Sequence, residues 1–200
     1  MPVCDVITAG IAYDCANPPT GGANDRLILV NFSDIDGNVT YNATNKLVVE
    51  NITLLGGAVG YAFEGLNNSN EPRAAMVKGR YLNAYDHEVR FKVFSNSIAA
   101  KLQLTKLDGA LVVAIVQNNH KGGDPVPLGT EVGEAAFEIY GLETGLRLQE
   151  LERIIADAEL QGAYNLLIKN DEVSRPSTLP HTLFITSFAA SLAVVDSILV

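Results

Sequence analysis

Histidine and cysteine are too scarce in this chain to supply a preformed metal site. The three histidines, His87, His120 and His181, fall in no HExxH, HxH or HxxxH arrangement, so folding alone would have to gather the ligands. Cys4 and Cys15 have ten residues between them, which matches no common zinc spacing, and no second pair completes a four-ligand set. Both read as ordinary small apolar residues, because a reducing cytosol disfavours a disulfide. Charge is sparse as well. Charged side chains make up 18% of the sequence, against roughly 25% in an average soluble domain. Much of the surface must therefore be uncharged or apolar, as expected of a chain covered by other subunits. Cations are scarcer than anions, and the formal charge of −9 argues against a grip on nucleic acid through clustered Lys and Arg.

Catalytic signatures are missing too. No GxSxG nucleophile elbow and no GxxxxGK[ST] phosphate loop occurs. "GGAVG" (Gly56 to Gly60) has no helix start behind it to hold an anion, so it reads as a turn. "DID" (Asp34 to Asp36) with Asn38 lacks the length and terminal Glu of a calcium loop and also reads as a turn. Five Asn-x-Ser/Thr sequons read as chance products of an Asn- and Thr-rich chain. The start "MPVCD" has no basic, apolar leader. The most apolar stretch, Thr182 to Val200, is too short to span a bilayer and carries Asp196. The expectation is a chain made in a cytosol, without a membrane anchor and without a cofactor.

Two hundred residues with 48% apolar content are enough for one sizeable core. The Pro- and Gly-punctuated residues 1–26 read as an N-terminal arm and residues 27–200 as a single β-domain. "RLILVNF" (Arg26 to Phe32) and "ALVVAIVQ" (Ala110 to Gln117) are continuous apolar runs, as in strands buried on both sides. "KLVVENITLL" (Lys46 to Leu55) and "VGYAFEGL" (Val59 to Leu66) read as a hairpin-like pair, with "RAAMVKGRYL" (Arg73 to Leu82) as a return strand. "HEVRFKVF" (His87 to Phe94) alternates with a strict period of two, one face apolar and one charged. Behind it, Ser95 or Ser97 caps a helix on which Ile98, Leu102 and Leu107 share helical spacing, and Asp108-Gly109 stops it. "EAAFEIYGLETGLRLQELERI" (Glu134 to Ile154) reads as two strands joined at Gly141 to Gly145, although "LRLQELERI" also fits a short helix. "GAYNLLIKN" (Gly162 to Asn170) is a further strand, and Ser187 caps a C-terminal helix. Eight or nine strands without strand–helix–strand alternation give the fold class: mainly β, an antiparallel β-sandwich or barrel with a flanking internal helix and a C-terminal helix.

Two features point to contacts between subunits. The loop residues Asn118, Asn119, His120, Lys121, Gly122, Gly123, Asp124 and Pro125 combine polar side chains with a long connection. Such loops are uncommon in compact domains unless they serve a function or order against a partner. Charge is also segregated along the chain. Seven cations face two anions between Arg73 and Lys106, and nine anions face two cations between Asp124 and Glu159. Opposite charge on two surfaces suits a head-to-tail interface, which closes into a ring or runs on as a filament; a solvated mixture is the bland alternative.

The start "ITAGIAYDCANPPTGGANDRLILVNFSDID" (Ile7 to Asp36) resembles the N-terminus of tail tube proteins of bacteriophages from Bacteroidetes hosts. The succession "GYAFEG", "HEVRFKVF" with a helix behind it, "VVAIVQNN", "AFEIYGLETGL", "GAYNLLI" and "LPHTLF" is similar to that family along nearly the whole chain. The resemblance implies two packed antiparallel sheets with a flanking helix. It also implies a virion structural protein whose copies form rings, six to a ring, stacking into a tube alongside other tail proteins. Genome DNA would pass through without specific binding, and no catalysis is implied. A tail-completion or connector ring protein is the near alternative. A monomeric small-ligand-binding β-barrel is the distant one.

Overall fold

A computed structural model describes residues 22–66, 68–79, 83–119, 136–156 and 162–199. These form eleven strands and two α-helices: β1 Ala23–Asn31, β2 Ile35–Tyr41, β3 Val48–Leu54, β4 Tyr61–Glu64, β5 Glu71–Val77, β6 Ala84–Val93, α1 Ile98–Asp108, β7 Val112–Asn118, β8 Phe137–Tyr140, β9 Arg147–Arg153, β10 Tyr164–Lys169, β11 His181–Leu183 and α2 Phe188–Ile198. The larger sheet runs β2-β3-β11-β8-β7-β1-β4 and the smaller runs β5-β6-β10-β9. All pairings are antiparallel except that of β11 with β3. The expected mainly β architecture with an internal and a C-terminal helix is what forms.

The seven-stranded sheet is apolar on both faces, and the continuous runs of β1 and β7 are the cause. Side chains alternate across a strand, so Leu27 and Leu29 of β1 enter one core while Ile28 and Val30 enter another. Strand β7 divides in the same way, with Val112, Ala114 and Val116 on one side and Val113 and Ile115 on the other. The first core lies between the two sheets, where Val89 and Phe91 of β6 meet Leu166 and Ile168 of β10, and α1 contributes Leu104 and Leu107. The second lies under α2, which contributes Val195 and Ile198. Phe188 of α2 stacks on Phe137 of β8, ring centroids 5.4 Å apart.

Both helices begin where expected. Ser97 Oγ accepts from Ala100 N–H at 3.0 Å and Ser187 Oγ from Ala190 N–H at 3.2 Å, each cap being worth about 1 kcal/mol. Among the described residues no helix is long and apolar enough to cross a membrane.

Several local expectations give way. Strands β3 and β4 are not a hairpin: β4 pairs with β1, and β3 lies between β2 and β11. Gly56 and Gly57 do make a turn, but Gly60 serves close approach instead. A Cβ there would stand 2.8 Å from Ile198 Cγ2, so only glycine lets β4 start against the end of α2. The turn expected at Asp34 to Asp36 is instead the end of a 3₁₀ turn, Phe32–Asp34, that passes directly into β2. "LRLQELERI" is strand β9, held by β10 along its length. Strand β1 begins at Ala23, ahead of the arm boundary expected at Arg26. Ile98 and Leu102 do not face the core with Leu107. They point to solvent, 87% and 53% exposed.

Candidate functional site

The stem of the contact loop read from the sequence, Asn118 and Asn119, falls at a rim where three strands meet. Asn118 closes β7, donates its N–H to Ala136 C=O at 2.9 Å and its side-chain amide to Glu138 at 3.2 Å. Asn119 donates its N–H to Gly22 C=O at 2.9 Å, just ahead of β1. Gly22 has φ +102°, and a Cβ there would strike the Asn68 and Asn119 side chains. These two loop residues thus tie the ends of β7, β8 and β1 together. His120, Lys121, Gly122, Gly123, Asp124 and Pro125 lie outside the described residues, as do Cys4, Cys15 and most of the expected arm.

The smaller sheet presents a second kind of surface. Its outer face is polar, and each cation on it sits beside a carboxylate. Arg73 pairs with Glu88 at 2.9 Å, Arg90 with Glu150 at 2.9 Å, Lys92 with Glu71 at 3.7 Å, Arg147 with Asp171 at 3.3 Å and Lys169 with Asp86 at 3.0 Å. Arg175 also reaches Asp86 at 2.7 Å. Burial raises the Asp86 carboxyl, but hydrogen bonds from Arg175 and Lys169 outweigh it and hold the group below its ordinary value. The Arg90–Glu150 pair joins the basic and the acidic segments of the sequence, so part of their segregation is neutralised within the fold.

Among the described residues, strands β5 and β9 each pair on one side only, leaving backbone donors and acceptors open to another strand. Each edge also leaves an apolar side chain uncovered on the core-facing side. Met76 of β5, opposite Tyr85, is 60% exposed, and Leu151 of β9, opposite the buried Leu166, is 45% exposed.

A third cluster has no local sequence signal. His87 and His181 are both buried, on β6 and β11. His87 Nδ1 accepts from Gly141 N–H at 3.2 Å, its Nε2 lies 3.0 Å from Thr178 C=O, and its ring packs edge-on against Tyr140 at 5.7 Å. With Nδ1 accepting, the proton belongs on Nε2. Asn170 Oδ1 accepts from His87 N–H at 2.6 Å. Burial pushes the pKa of both histidines down, so both are neutral near pH 7. Residues 87, 143 and 181 are far apart in the chain, and only the tertiary fold gathers them. His87 is satisfied on both ring nitrogens, which is the arrangement of a structural histidine and not of a base awaiting a substrate. Among the described residues no group of three His, Cys, Asp or Glu could hold a metal ion. No protein-family model matches the chain, and neither a curated protein nor a solved structure matches it.

Proposed function

We propose that the protein is a self-assembling virion structural protein, a tail tube subunit whose copies close into rings that stack around a DNA conduit. The observation that carries this reading is the pair of open edges on the four-stranded sheet. The strands alternate in direction, β5 up, β6 down, β10 up, β9 down. A rotation that brings β9 of one copy beside β5 of the next therefore sets an antiparallel pair and continues the ladder. Such a heterologous contact closes when the rotation divides a circle. It would cover Met76 and Leu151 and satisfy both backbone edges, which an isolated monomer leaves as an aggregation hazard.

The charge pattern supports the same reading. The outer face of the smaller sheet pairs its cations internally, so it offers phosphates few unneutralised partners; a wall built from it would let DNA pass without holding it. Ring number rests on the family resemblance. A connector ring is the second reading, favoured by the same edges, and it differs in not stacking. Light scattering of the purified protein at rising concentration, with negative-stain images of the same samples, tests all three outcomes. Tubes of uniform width support the tube, single rings support the connector, and a monomer that persists with the tail's initiating complex supplied refutes both.

A further inference from the structure

A cleft of about 460 Å³ opens between the turn that links β2 to β3, the turn that links β8 to β9, and the segment before β11, with Tyr41, Lys46, Glu143, Thr178 and His181 on its walls. Two features of this cleft are unexplained by the fold. The Glu143 carboxylate is fixed by three donors, Ser177 N–H and Oγ–H at 2.9 Å each and Thr178 Oγ–H at 2.6 Å, yet it has no ion-pair partner among the described residues. His181 is 5% exposed, and its Nδ1 is closed off from solvent with no hydrogen-bond partner among the described residues, a buried polar atom of the kind that costs about 1–3 kcal/mol when left unsatisfied. The Tyr41 ring lies 5.7 Å from the His181 ring at 57° and supplies an aromatic wall. Lys46 stands exposed on the rim and forms no ion pair with Glu143.

We propose that this cleft binds an organic cation, a guanidinium or primary ammonium group, held between the Glu143 carboxylate and the face of Tyr41. Each wall offers what such a group needs: a pre-oriented anion for charge-assisted hydrogen bonds and an aromatic face for a cation. A metal ion fits poorly, because Glu143 and His181 supply at most two strong ligands and the cleft is far larger than a bare ion. An anion fits worse, since Glu143 would repel it. Two sources carry this chemistry: an Arg or Lys side chain of a second copy, or a free amine. The site does not depend on the assembly reading.

The test is saturation-transfer NMR on the full-length protein with N-acetyl-arginine methylamide, set against the uncharged N-acetyl-citrulline methylamide. Saturable transfer to the arginine side-chain protons is expected, with citrulline at least about tenfold weaker. Tyr41→Leu should weaken arginine binding severalfold, and Glu143→Gln should erase the preference over citrulline, each with a cooperative thermal transition retained. Equal binding of the two probes, or none in the wild-type protein, overturns the proposal. Should Glu143→Gln fail to fold, the wild-type comparison and Tyr41→Leu still decide it. Sedimentation with saturating probe then separates the sources: a fall in assembled mass assigns the cation to a neighbouring copy, and unchanged mass assigns it to a free ligand.

Discussion

The two sheets solve the problem of their outer faces in opposite ways. The seven-stranded sheet hides both faces, one against the smaller sheet and one beneath α2. The four-stranded sheet hides only one, and clothes the other in paired charges. The first is built for stability and the second for what it leaves open. Its strands are long and well paired inside, yet its edges carry Met76 and Leu151 exposed. The proposed ring contact would cover them with a neighbouring copy.

Adjacent residues on β10 give the sharpest way to break this comparison. Leu166 is fully buried between the sheets, and Leu167 faces outward beside Arg90 and Glu150. Leu166→Ala should cost about 2–5 kcal/mol in denaturant unfolding, through lost burial and the cavity left behind. Leu167→Ala should cost about 1 kcal/mol or less. Equal costs would mean that the outer face is packed after all.

Acid supplies the next test. His87 and His181 have folded pKa values below the ordinary 6.5, burial being the leading cause. The unfolded chain therefore takes up their protons first. Their contribution to stability is full above about pH 6.5 and declines as pH falls through it. Burial raises the Glu143 carboxyl, but the donors from Thr178 and Ser177 outweigh it, so its pKa is lowered from 4.5 and a second loss begins below that value. Thermal scans from pH 7.5 to 5 should show a falling midpoint, with a shallower fall in His181→Asn. A midpoint flat across that range contradicts neutral burial.

The smallest effect belongs to the charged face. Arg90 and Glu150 are both partly exposed, and pairs of that kind contribute about 0–1 kcal/mol. Glu150→Gln should shift the folding midpoint little, and raised salt should leave it little changed.

Much of this architecture is written in the local pattern. Unbroken apolar runs identify β1 and β7 as strands buried on both faces, and strict alternation identifies β6 as buried on one. Serine before an apolar stretch marks both helix starts. What escapes is pairing over distance. A glycine turn after β3 suggests a hairpin, but β4 finds its partner in β1, because a strand's pattern states that it pairs and not with which neighbour. Strand β11 is three residues long behind Pro180, too short for any period to register. The stripe of Ile98 and Leu102 has the right spacing for a core face, yet Leu104 and Leu107 occupy the core and the stripe faces solvent. Nothing local links Glu143 to His181 or Tyr41, so that cleft is invisible before folding. Among the residues of the expected contact loop, Asn118 and Asn119 bind its stem to the sheet, and the rest lie outside the described residues.

Hydrogen exchange at the two edges of the smaller sheet tests the assembly account most directly. Backbone amides of β5 and β9 should gain protection together as concentration carries the protein from monomer to assembly, while Met76→Lys or Leu151→Lys prevents both gains and leaves the fold intact. Assembled particles in which these edges exchange as fast as in the monomer would contradict the account.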